Sequence, residues 1–255
     1  MTNFLVSSIS KLKSPKSTIV LGSSSSEVFD YIFGDNPHYH PFWIDGWTAR
    51  GLRDHEDQFY IANIVSPLNR KALVILCFGM ADIFFSLAYK RAKKERLTIE
   101  AFSLDVLDGI FRTYQTLRKL GFRNVINLFY NPIPDLSKEY WDRMEVVDQL
   151  SVDELSKALR CIIIKCKTKM RTIDLTPLFS KSDAPYIADK RYQHPFEDHH
   201  LNFISVQRII WEHVKDLSGI IQRKPNFHEA IYDHTFIPVA QLINDQVPRP
   251  RTCKN

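Results

Sequence analysis

The sequence predicts a three-layer α/β/α fold around a central parallel sheet of about five strands. Three observations predict it. Short β-branched or wholly apolar runs recur along the chain, amphipathic stretches with three- or four-residue spacing separate them, and 255 residues suit one domain with a sizeable core. Strands and helices alternating at this rhythm imply right-handed crossovers, which place a parallel sheet between two helical layers.

Taken in order, STIVLG (17–22) is a β-branched run closed by glycine, and Glu27–Phe33 suits a helix, so the serines at 23–26 fall in a strand-to-helix turn. HPFWID (40–45) is a second strand, followed by helical spacing through residues 48–65. RKALVILCFG (70–79) is apolar on both faces, as a strand at the centre of a parallel sheet must be. Residues 99–120 place Phe102, Val106, Ile110, Tyr114 and Leu117 on one helical face, with Gly121 where a C-terminal cap belongs. RNVINLFYNP (123–132) reads as a fourth strand, Ser151-Val152-Asp153-Glu154 as a capping box opening a helix to about Lys167, and RTIDLTPLF (171–179) as a fifth strand. Residues 201–221 read as a long closing helix. The domain is thus expected over 17–221, between an N-terminal extension (1–16) and a C-terminal one (222–255).

Composition narrows the function classes. The apolar share of 44% and charged share of 25% are those of a globular protein, and no run approaches the roughly 20 apolar residues that span a bilayer. The N-terminus lacks the pattern of an export signal, and four cysteines at 77, 161, 166 and 253 suggest neither a disulfide framework nor zinc. A cytoplasmic, reducing location is the expectation. The net charge of +5 arises from Lys11/Lys13/Lys16, the KRAKKER run at 90–96 and the tail 249–254. These read as solvated faces or ends; without interleaved aromatics they do not make a nucleic-acid groove.

In sheets of this kind ligands bind beyond the carboxyl ends of the strands, which makes four stations the places to look. They are Gly22-Ser23-Ser24-Ser25, Asp45-Gly46-Trp47-Thr48, Gly79-Met80-Ala81-Asp82 and Glu197-Asp198-His199-His200-Leu201-Asn202. A serine hydroxyl becomes a nucleophile when an imidazole accepts its proton, and the imidazole needs a carboxylate to fix its tautomer. A sharp turn after a strand exposes such a hydroxyl and sets it beside the N–H groups of the next helix. Singly, each station has a plain structural use. The serines and Asp82 can cap helices, His200 can pack at a helix start, Glu197 and Asp198 can favour a helix N-terminus, and the scattered histidines pair in no metal-binding motif.

In order and spacing, the four stations resemble the SGNH (GDSL-like) hydrolase superfamily over roughly residues 17–221, which implies an SGNH/flavodoxin-like fold. The resemblance implies Ser24 as nucleophile, with Ser23 where the family has aspartate. It implies His200 as general base and Glu197 or Asp198 as its acid, Glu197 having the family spacing and Asp198 the family residue type. The oxyanion hole would draw on the backbone N–H groups of Ser24 and Gly46, and Ala81 occupies the hole's asparagine position. The activity implied is that of a serine-dependent acyl-ester hydrolase or O-acyl(acetyl)transferase on a carbohydrate or other polar ester. Loss of the asparagine also resembles bacterial SGNH-like proteins of surface-polysaccharide assembly. No cofactor is implied beyond acetyl-CoA as acyl donor for a transferase. The expected partners are a small-molecule or glycan ester, with no nucleic acid and no integral membrane segment, and the oligomeric state is open. Ala81 and Ser23 also favour an alternative, a catalytically silent module that binds a glycan or a partner. The connection 183–196 reads as a substrate-facing lid.

Overall fold

The computed structural model of the chain describes residues 16–93 and 97–225. Lys11, Lys13, the end of the KRAKKER run, the basic tail and most of both extensions lie outside the described residues. The strands are β1 (Thr18–Gly22), β2 (Tyr39–Trp43), β3 (Leu73–Cys77), β4 (Asn124–Phe129) and β5 (Thr172–Asp174). The helices are α1 (Val28–Phe33), α2 (His55–Val65), α3 (Leu87–Ala92), α4 (Ile99–Lys119), α5 (Lys138–Arg143), α6 (Val152–Lys167) and α7 (Phe203–Val214).

All strand pairs are parallel and the sheet order is β2-β1-β3-β4-β5. The expected three-layer architecture with five parallel strands is the one found. The chain moves from β1 to β2 in one direction and from β2 to β3 in the other. Right-handed crossovers therefore put α1 on one face and α2 on the opposite one. The helices follow that rule. Phe29, Phe33, Ile210 and Trp211 of α1 and α7 form a core on one face, while Ile61, Ile110 and Ile163 of α2, α4 and α6 belong to the core on the other. β1 and β3 are buried along their whole length, which explains their apolar sequences. The reversal of strand order between β1 and β3 is a topological switch point, where a crevice opens at the carboxyl edge.

The caps read from sequence are present. Ser151 and Glu154 exchange both bonds of a capping box at α6, and α4 ends at Leu120 followed by Gly121 at φ 96°. Most elements are shorter than expected, and for two of them the structure shows the cause. β5 stops at Asp174, whose carboxylate takes the Thr176 N–H and hydroxyl, and Pro177 then starts a 3₁₀ turn, Thr176–Phe179. The last helix begins only at Phe203, because Asn202 caps it by accepting from the N–H groups of Ile204 and Ser205. It ends at Val214, before the break at Gly219 (φ 87°). Helix α5 has too few residues to show a period and was not anticipated.

A pH-dependent term arises at the sheet edge. His40 of β2 has its Nδ1 sealed from solvent without a partner among the described residues, and burial first, then the charge of His38, lowers its pKa to about 4. The unfolded chain takes a proton there at about pH 6.5, so the term is fully present above that pH and is lost as the pH falls toward about 4. The buried carboxyls Asp57 and Asp82, raised by desolvation to about 6, act in the opposite sense. The readout is therefore the stability of wild type minus that of His40→Gln in urea unfolding. The difference should fall by on the order of 2–3 kcal/mol between neutral pH and about pH 4, and a pH-independent difference would refute the assignment.

Candidate active site

The turn after β1 is fixed by the three strands around it. Ser23 N–H donates to Cys77 O (3.3 Å), Ser26 Oγ to the same carbonyl (3.4 Å), Ile44 N–H to Gly22 O (3.0 Å), and Tyr130 Oη to Ser25 O. Only glycine fits at 22, since a Cβ there would lie 1.9 Å from Ser26 Oγ and 2.4 Å from Cys77 O. Ser23, Ser25 and Ser26 are buried, whereas Ser24, the first residue of the 3₁₀ turn Ser24–Glu27, is part-exposed. The fold thus selects one hydroxyl of four.

Across 176 positions of sequence, His200 Nε2 lies 2.8 Å from Ser24 Oγ. Asp198 Oδ1 accepts both the His200 main-chain N–H (2.8 Å) and, at 3.0 Å, the proton of Nδ1. Burial alone would raise the Asp198 carboxyl, but the hydrogen bonds from His200 and the adjacent imidazoles outweigh it and hold the group at about 2. An ionised carboxylate can only accept, so the imidazole proton sits on Nδ1 and the Nε2 lone pair faces the serine hydroxyl. That is the polarity a general base requires. Phe203 meets the His200 ring edge-on at 5.8 Å, and Tyr31 in turn meets Phe203 at 5.4 Å.

The two carboxylates are placed differently. Glu197, at the family spacing, turns away: it accepts from the Ser137 N–H (2.7 Å) and hydroxyl (2.9 Å) and pairs with Arg143 at 3.7 Å. It thereby serves the start of α5 instead of the histidine, and those bonds lower its pKa. The two-residue step from Asp198 to His200 lets one carboxylate oxygen bridge backbone and ring, which a three-residue step to a longer arm does not do here.

Gly46 has φ 68°, a conformation side chains resist, and a Cβ built there meets nothing within 4 Å, so its backbone borders open space. The loop behind it is tied down by Asp82. The expectation that Asp82 caps its own helix is corrected: its fully buried carboxylate accepts from the N–H groups of Ala49 (2.6 Å) and Arg50 (3.0 Å). Asp82→Ala would leave both amides without an acceptor, and a loss of about 2–4 kcal/mol is expected in urea unfolding. A loss below about 1 kcal/mol would mean that other contacts hold the loop. Ala81 is buried and offers no side-chain donor.

Sequence reasoning missed a second imidazole and its support. The His199 ring lies 4.0 Å from that of His200, centre to centre, and against Phe84 and Phe85 at 5.5 and 5.3 Å. Its Nδ1 is 2.6 Å from Tyr140 Oη, which also accepts the His199 main-chain N–H at 3.2 Å. The doubled histidine was a sequence signal; Tyr140, 59 positions earlier in a six-residue helix, had none.

Asp198, His199 and His200 are also the one group among the described residues able to present a metal ion with three ligand atoms, all within 4.8 Å. Both Nδ1 atoms, His200 Nε2 and Asp198 Oδ1 already take part in the hydrogen bonds above. The connection at 183–196 is stitched to the body. Ala188 N–H donates to Ile133 O (2.7 Å), Asp189 N–H to Phe179 O (2.9 Å), and Gln193 bridges to Leu201. Its last residues leave Phe196 exposed and stacked on His194 beside Glu197. Among the described residues no helix is long and apolar enough to cross a membrane.

No protein-family model matches this chain, and no curated protein does. Solved structures of similar layout include an aryl esterase from M. Smegmatis, 12% identical, covering 79% of this chain and 99% of that one at a TM-score of 0.47. A carbohydrate acetylesterase from Sinorhizobium meliloti is likewise 12% identical, covering 79% and 100% at 0.44. A lipase from a goat rumen metagenome is 15% identical, covering 69% and 86% at 0.42. At these identities and scores the likeness adds nothing to the site geometry above.

Proposed function

We propose that this protein is a serine-dependent acyl-ester hydrolase. One observation carries the reading: a part-exposed serine hydroxyl 2.8 Å from Nε2 of an imidazole whose Nδ1 lies 3.0 Å from an aspartate carboxyl oxygen. Ser24 Oγ attacks the acyl carbonyl while its proton passes to His200 Nε2, and the imidazolium formed is stabilised by Asp198. The tetrahedral oxyanion is met by the backbone N–H groups of Ser24 and Gly46. The intermediate collapses, the C–O bond to the alcohol breaks, and His200 returns its proton to the leaving oxygen. Water then attacks the acyl-enzyme by the same route in reverse and frees the acid and Ser24.

The substrate we favour is an O-acetyl or related short acyl ester of a carbohydrate, the class implied by the resemblance of the four stations to SGNH hydrolases. A sugar hydroxyl in place of water would make the same acyl-enzyme a transferase intermediate, with acetyl-CoA as the acyl donor. Ala81 favours a second reading, a silent binding module, because loss of an oxyanion-hole donor costs about 10²–10³ in rate.

A fluorophosphonate probe separates the two readings. Covalent labelling of the full chain is expected at Ser24, located by peptide mass spectrometry and abolished in His200→Ala. An unlabelled Ser24 under conditions where a known serine esterase reacts fully would leave only the binding module.

A further inference from the structure

His199 takes no part in the chain from Ser24 to Asp198, yet it is the more enclosed of the two imidazoles: burial first, then the charge of His200, lower its pKa to about 3, so the ring is neutral. Its tautomer follows from counting protons on Tyr140. The phenol oxygen already accepts the His199 main-chain N–H, and no other acceptor for its own proton is found among the described residues. We assign the Tyr140 proton to Nδ1, the acceptor 2.6 Å away, which leaves Nδ1 bare. The neutral ring then carries its proton on Nε2.

That Nε2–H has no protein partner among the described residues, and it is not one of the unpartnered polar atoms cut off from solvent. It is a fixed donor beside the catalytic base, directed at no protein group. Its location also has a bearing. Phe84 and Phe85, on which the ring rests, belong to the turn Asp82–Ser86 that follows Ala81, so the ring flanks the element from which the oxyanion-hole asparagine would otherwise project.

We propose that the Nε2–H of His199 donates to the acyl oxygen of the tetrahedral intermediate, in place of the amide that Ala81 lacks, and that Tyr140 is the positioning residue that keeps the proton on Nε2. The proposal rests on Ser24 as nucleophile. No proton is transferred in this contact; a hydrogen bond shortens as charge develops on the oxygen.

The test uses the full chain and p-nitrophenyl acetate. His199→Ala should lower kcat about 10²-fold with little change in KM, because the contact strengthens only in the transition state. His199→Gln, whose amide nitrogen can reach the Nε2 position, should recover about tenfold of that loss. In wild type, ¹⁵N NMR of the imidazoles should show His199 neutral with its proton on Nε2, and Tyr140→Phe should mix the tautomers and lower kcat with KM unchanged. A kcat for His199→Ala within about threefold of wild type, with turnover still dependent on Ser24, overturns the proposal alone, as does an Nδ1–H tautomer in wild type. Absence of any Ser24-dependent turnover in wild type overturns the hydrolase reading and this proposal together.

Discussion

Ser24→Ala should lower kcat for p-nitrophenyl acetate by about 10⁴–10⁶-fold, and adding His200→Ala should cost almost nothing more. The two groups act as one device, because the imidazole has no proton to take once the hydroxyl is gone, and the hydroxyl has no base once the ring is gone. Folding should be untouched, since Ser24 is part-exposed and its hydroxyl's partner is His200 alone among the described residues. The measurement is steady-state hydrolysis by the two single variants and the double variant, with thermal unfolding run alongside. Additive losses would show that the 2.8 Å contact is not a catalytic pair.

Asp198→Ala should lower kcat by about 10⁴-fold while Glu197→Gln stays within about threefold of wild type. Alanine at 198 removes the one oxygen that accepts both the His200 main-chain N–H and the Nδ1 proton. The ring then loses the partner that fixes its tautomer and the charge that stabilises its imidazolium. Glutamine at 197 keeps an oxygen for the Ser137 N–H and places its amide group where the second oxygen meets the Ser137 hydroxyl and Arg143, and none of these contacts involves His200. Equal effects of the two substitutions would refute the assignment of the acid to Asp198.

Much of the fold could be read along the chain because its signals are local. β1 and β3 are uniformly apolar, the face of α4 repeats at helical spacing, and the box of Ser151 and Glu154 is complete within four residues. Signals failed where an element was too short to show a period, as in α5, or where local hydrogen bonds moved a boundary, as Asn202 does at the start of α7 and Asp174 at the end of β5. Asp82 shows the same limit for side chains. As a residue next to a helix it reads as a cap, yet the N–H donors it satisfies belong to a loop more than 30 positions earlier.

By itself the sequence determined the layered α/β scaffold, the turn holding Ser24, and the segment carrying His200, since backbone preference and burial pattern act over a few residues. The tertiary structure alone decided which of four serines is open, that Asp198 and not Glu197 faces His200, and that Tyr140 meets the His199 ring. Each of these depends on hydrogen bonds a few ångströms long between segments far apart in the chain, and such distances exist only once the sheet and its helices have packed.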